Sequence, residues 1–133
     1  MTNTGNVIRP DASARQPVNI DSDLSDKNGY AVNLDTTDQD VVNAATDASA
    51  ICYPLVDSAD GSSTTTTGAI ATAGQAEYKL GGTVAPGDKL APTTGSVWIK
   101  TTTDTDHYGG IARKAGVTGD LIPGEVRQGM VAG

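Results

Sequence analysis

Two residue types that commonly start a catalytic argument occur once each in this sequence, His107 and Cys52. A hydrolytic triad needs a base held between a nucleophile and an acid. His107 follows Asp104-Thr105-Asp106, a stretch that reads as loop, and no serine stands in a Gly-x-Ser-x-Gly setting. Cys52 lies within Ala50-Ile51-Cys52-Tyr53-Pro54-Leu55-Val56. Apolar surroundings raise a thiol's pKa, the wrong direction for a nucleophile, so Cys52 reads as a small buried hydrophobe. A zinc site as a rule draws on about three or four His or Cys ligands, and His107 and Cys52 are all the chain has. The expectation is a protein that is no enzyme, with no cofactor and no catalytic metal.

Other stretches imitate known sites. Gly82-Thr83-Val84-Ala85-Pro86-Gly87-Asp88-Lys89 has the outline of a phosphate-binding loop, but Asp88 stands where the phosphate-contacting lysine belongs, and a carboxylate there repels phosphate. It reads as a β-turn. Asp21-Ser22-Asp23-Leu24-Ser25-Asp26 begins like a calcium loop, yet lacks the glycine at the sharp turn and carries Val32 where the closing glutamate should be. Asp35, Asp38 and Asp40, and the pair Asp104 and Asp106, read as solvated loop carboxylates. Trp98 has the chemistry of a stacking platform, but on an alternating strand it reads as a core residue.

The elements that position these residues have few large side chains to work with. In 133 residues, Leu, Ile and Val number 24 together and Phe is absent. Asp outnumbers Glu fourteen to two, so the net charge of −7 points to acidic loops and turns and not to charged helices. Scattered single Lys and Arg residues give no nucleic-acid footprint. No apolar run approaches the ~18–20 residues of a membrane-spanning helix, and the first ten residues lack the pattern of a secretory signal. A lone cysteine forms no intrachain disulfide.

Residues 1–28 read as an extended N-terminal arm, broken by Pro10 and Pro17 and carrying isolated apolar residues. Val7, Ile8, Val18, Ile20 and Leu24 on it are candidate anchors on a partner surface, and Arg9 and Arg15 candidate partners for acidic groups. Residues 29–133 read as a single β domain. Gly29 to Leu34 alternates as a strand, a short helix is expected near 38–46, and Pro54 implies a strand bent or at an edge. Ala76, Tyr78 and Leu80 share one face. Pro86-Gly87 marks a type II turn and Pro92 to Gly95 a second turn. Ser96 to Thr101 and Tyr108 to Lys114 follow as strands. Gly109-Gly110 suggests close backbone approach. Short strands with Gly and Pro turns make the chain mainly β, a small barrel or sandwich. Gly87-Asp88-Lys89-Leu90 and Gly119-Asp120-Leu121-Ile122 are alike, but their flanks differ and they do not read as a repeat.

The motifs of the C-terminal part carry a resemblance. Gly82-Thr83-Val84-Ala85-Pro86-Gly87-Asp88-Lys89-Leu90, Gly110-Ile111-Ala112 and Ala115-Gly116-Val117-Thr118-Gly119-Asp120-Leu121-Ile122 resemble the small capsid cement, or head-decoration, proteins of tailed bacteriophages. The resemblance covers about a third of the chain. It departs at Pro123-Gly124, which is expected to interrupt the last strand, and in the length of the arm. It implies a virion structural protein, made in the host cytoplasm and placed on the outer capsid surface. There it would clamp copies of the major capsid protein as a homo-oligomer, with trimers favoured. Two alternatives remain: a tail-associated or receptor-binding β protein, and a carrier module, since Val84 to Leu90 also resembles a turn of biotinyl and lipoyl domains. No lysine stands at a suitable carrier position.

Overall fold

A computed structural model describes residues 14–20, 27–38, 41–57 and 66–132. Among these residues every regular element is a strand. The first five are β1 (Ala14–Ile20), β2 (Ala31–Leu34), β3 (Val41–Ala44), β4 (Tyr53–Asp57) and β5 (Thr66–Ala73), which close a barrel in the order β1-β3-β2-β4-β5. β1 runs parallel to β3 and antiparallel to β5, and the other neighbours are antiparallel. Inward positions come from every strand: Val18, Ile20, Val32, Val42, Leu55 and Ile70 form the barrel core. Each such side chain stabilises by roughly 1.5–3 kcal/mol when fully buried.

Two sequence expectations are corrected here. The helix expected near 38–46 is strand β3. The Asp35 carboxylate accepts from the Thr37 and Asp38 amides, which shapes a turn between β2 and β3. The β-branched pair Val41-Val42 then fits a pleat, with Val42 inside. The second correction concerns the arm. Residues 14–20 are a barrel strand whose side chains alternate, Val18 and Ile20 inward and Arg15, Pro17 and Asn19 outward. That strand closes the sheet and removes its free edges, which favours barrel formation over an isolated arm. Pro17 is tolerated because β1 meets β3 only at Asn19 and Ile20. Pro54 is likewise tolerated inside β4: the ladder to β5 holds Leu55 and Asp57, with a bulge between them, and omits Pro54. The strand is therefore bent, and lies between β2 and β5 and not at an edge.

The remaining strands are β6 (Gln75–Lys79), β7 (Lys89–Thr93), β8 (Val97–Lys100), β9 (His107–Ala112) and β10 (Leu121–Met130), in the order β6-β10-β9-β7-β8. A bridge between Leu80 and Trp98 ties the two outer strands, and the Gly81 amide donates to the Trp98 carbonyl at 2.8 Å. The second turn is set one residue later than expected. It closes from Thr93 to Ser96, leaving Pro92 within β7 opposite Trp98.

Within this sheet, residues 75–93 and 107–125 follow one design shifted by 32 positions. Gly87 and Gly119 take φ of +92° and +94°. Asp88 accepts from the Ala85 amide at 2.8 Å, and Asp120 from the Val117 amide at 2.9 Å. Gly87 donates to the Ala112 carbonyl and Gly119 to the Leu80 carbonyl. Lys89 pairs with Ile111, and Leu121 with Lys79. Val84 and Gly116, equivalent positions, bridge each other through reciprocal bonds of 2.9 and 3.2 Å. The two units are thus interlocked about a local twofold, each pairing with the other. This corrects the reading that the two similar turns form no repeat.

The units are unequal where equality would clash. Tyr78 and Gly110 are equivalent, and a Cβ on Gly110 would lie 2.3 Å from the Tyr78 ring. One ring fills the room that both positions share. Gly124 also faces that ring, where a Cβ would approach to 2.7 Å. The expected interruption at Pro123-Gly124 does not occur: β10 runs through it, and the Pro123 carbonyl accepts from the Arg113 amide.

The barrel and second sheet share a core. Ala31, Ala45 and Cys52 pack with Tyr78, Leu80, Leu90 and Trp98. Gly29 joins them: its amide donates to Leu55, and its carbonyl accepts from the Lys79 amide and the Trp98 indole.

Candidate partner-binding surface

Of the seven residues expected to meet a partner, Val7, Ile8, Arg9 and Leu24 lie outside the described residues. Val18 and Ile20 face the barrel interior, so their apolar surface serves this chain's own core and is withdrawn from any partner. Arg15 remains exposed on β1. It lines an open groove of about 380 Å³ between the barrel and the second sheet, with Leu55 and Val56 from β4 and Gln75 and Glu77 from β6. Among the described arm residues, Arg15 is thus set apart from the buried Val18 and Ile20.

Sequence reasoning missed the exposed apolar side chains of the folded molecule. Ile51, Val117, Leu121 and Met130 all stand open to solvent. Val117 lies at the start of a turn whose i to i+3 bond joins Val117 and Asp120. Its equivalent, Ala85, is also exposed. The likeness of the two Gly-Asp turns was the available signal for this pairing. On β10, Glu125 binds both Arg113 and Arg127, the latter at 2.6 Å.

The chemistry-bearing side chains of the sequence are dispersed through the fold. Cys52 is buried, and burial pushes its thiol up to about 12. The His107 amide donates to the Ala48 carbonyl, and His107 sits opposite Met130. Among the described residues no group of three His, Cys, Asp or Glu side chains is placed to hold a metal ion. The Asp35 carboxyl is held down at about 2, first by the Thr37 hydroxyl and then by the Asn43 amide. Asp47 is lowered by the Ser49 hydroxyl and amide. Asp106 accepts from the Thr101 hydroxyl at 2.6 Å. These carboxylates hold loops through hydrogen bonds. Trp98 is fully buried and offers no stacking face.

No protein-family model matches the chain, and no curated protein matches it in sequence. Among solved structures, the chain is similar to the head fiber gp8.5 N base in bacteriophage phi29, with a TM-score of 0.59 and 12% identity, over 92% of this chain and 100% of that one. At that identity the likeness speaks for the fold.

Proposed function

We propose that this chain is a structural protein of a bacteriophage head, bound to the outer surface of the shell, where it reinforces contacts between major capsid protein subunits without catalysing a reaction. The observation that carries the reading is the similarity in fold to a head fiber base over nearly the full length of both chains. The turn motifs from Gly82 to Ile122, through their resemblance to head-decoration proteins, point to the same setting. The balance of the molecule supports it further. A core poor in large side chains and a surface with exposed apolar residues suit a protein that gains stability on a larger assembly. Repetition around a symmetric shell strengthens weak contacts through multivalency, and a homo-oligomer, a trimer above all, extends this.

A second reading follows from the same neighbour: the chain is the base of a projecting head fibre. Purified particles test both. Stoichiometric co-sedimentation with DNA-filled heads is the expected result, and absence from them overturns both readings. Electron micrographs then separate the two, low knobs supporting reinforcement and long projections supporting a fibre base.

A further inference from the structure

Asn28 is the only asparagine of the chain that is followed by glycine. That dipeptide carries a chemistry of its own. The amide nitrogen of the second residue attacks the side-chain carbonyl carbon of the first, and glycine, with no Cβ, leaves the approach open. The reaction needs an amide that has released its proton to solvent, room for the peptide to rotate, and a turn loose enough to permit it. The fold withholds each of these. Asn28 is exposed, but Gly29 is buried. The Gly29 amide donates to the Leu55 carbonyl at 2.7 Å. A Cβ on Gly29 would lie 2.6 Å from Leu121 and 3.3 Å from the Glu77 carbonyl, so neighbours fill the space into which the peptide would swing. The turn is closed from Lys27 to Tyr30 by a 3.0 Å bond, with Gly29 at a φ of +89°. The Lys27 ammonium lies 4.7 Å from the centre of the Tyr30 ring and braces the same turn.

We propose that Asn28-Gly29 is a deamidation site, which the folded chain guards and a local opening between barrel and second sheet exposes. On opening, the Gly29 nitrogen gives its proton to solvent and bonds to the side-chain carbonyl carbon of Asn28. The bond from that carbon to the side-chain nitrogen breaks, and the nitrogen takes up a proton and leaves as ammonia. Water then opens the resulting cyclic imide at either carbonyl, giving aspartate or isoaspartate, with nothing oxidised or reduced. Isoaspartate routes the main chain through the former side chain and lengthens the backbone directly before Gly29. That is the residue at which the two halves are bonded. Its amide reaches Leu55 of the barrel, and its carbonyl accepts from the Lys79 amide at 2.9 Å and the Trp98 indole at 2.8 Å. A displaced Gly29 cannot keep all three bonds. The aspartate product sets a carboxylate on the groove that Glu77 also lines, where like charges repel. An opening that outlasts the reaction is thereby made irreversible. This inference does not depend on the head-protein reading.

The test ages the purified full chain in mildly alkaline buffer, folded and in guanidinium chloride. Peptide mapping that separates asparagine, aspartate and isoaspartate follows position 28. The folded chain is expected to convert at least about tenfold more slowly than the unfolded one, the factor that a local opening energy of about 1.4 kcal/mol supplies. In denaturant, Asn28 is expected to convert ahead of Asn33 and Asn43, whose followers Leu34 and Ala44 carry a Cβ. When the denaturant is removed, isoaspartyl chains are expected to collect in the fraction that does not regain the native circular dichroism. Asn28→Gln, whose longer side chain disfavours the ring closure, is expected to age in denaturant without that loss of refolding. Equal rates in the folded and unfolded chain overturn the guard. Equal isoaspartate at position 28 in the refolded and unrefolded fractions overturns its consequence, as does an equal loss of refolding in Asn28→Gln. The mapping reads the unaltered protein, so the test stands even where Asn28→Gln does not fold.

Discussion

Trp98 meets Tyr78 edge to face, with ring centroids 5.0 Å apart. Each ring's polar atom donates to a backbone carbonyl, the indole to Gly29 and the phenol to Gly109, both at 2.8 Å. That is how a core of mostly small residues holds two rings with polar tips. Trp98→Ala is expected to cost about 3–5 kcal/mol in urea unfolding, the range for emptying an aromatic site. Tyr78→Phe keeps the ring and leaves the Gly109 carbonyl without its donor, at a cost of about 1–3 kcal/mol. Two groups give pH dependence. Asp35 is depressed below its ordinary value of 3.8 to about 2, so its contribution is complete above pH 3.8 and is lost as pH falls through 2. Asp35→Ala should flatten acid unfolding in that window. The Cys52 thiol is raised from 9.0 to about 12, so the native form holds its proton where the unfolded chain has lost it. Stability therefore falls as pH climbs from 9 towards 12, and Cys52→Ala should reduce that loss. Burial of Cys52 and the core position of Trp98 were legible from apolar and alternating neighbours. The inward turn of Val18 and Ile20 was not. One step of alternation does not define a face until a neighbouring strand fixes which side is covered.

The paired strand-turn-strand units make a prediction that isolated turns would not. Gly87 and Gly119 both take positive φ, and a Cβ on either meets nothing within 4 Å. Alanine at either position therefore adds backbone strain alone, about 1–2 kcal/mol, and the two variants should lower the urea midpoint by similar amounts. Gly110→Ala has a different origin of cost. It drives a methyl into the Tyr78 ring and should destabilise more than either turn variant. The Pro86-Gly87 turn and the strands around Tyr78, Trp98 and Ile111 could be read from residue type because turn chemistry is local. The relation between the two units could not. They share Gly and Asp and an aliphatic residue, Leu90 or Ile122, while Tyr78 faces its equivalent Gly110 across the axis. Divergence of that kind is a packing requirement, and it erases the repeat from the sequence. The strand at Val41–Ala44 was hidden for a similar reason: a carboxylate before short apolar residues serves a helix cap or a turn equally well.

At the scale of the whole molecule, the barrel and the second sheet meet through a continuous core and through Gly29, which bonds to Leu55, Lys79 and Trp98. Neither unit keeps that shared surface buried without the other. The two are expected to unfold in one cooperative step, so far-UV circular dichroism and amide exchange from β3 and β9 should report the same midpoint. Two separated transitions would assign the units independent stability. The mainly β class was legible from turn spacing. The closure of the barrel by β1 was not, because it depends on a parallel neighbour contributed from beyond β2. The indole bond to Gly29 has an optical consequence. Trp98 is the sole tryptophan, has no solvent exposure, and touches both units. Its emission wavelength is thus a native gauge of how firmly the barrel sits against the second sheet. A red shift while the strands persist would reveal the two halves parting, with no attached dye.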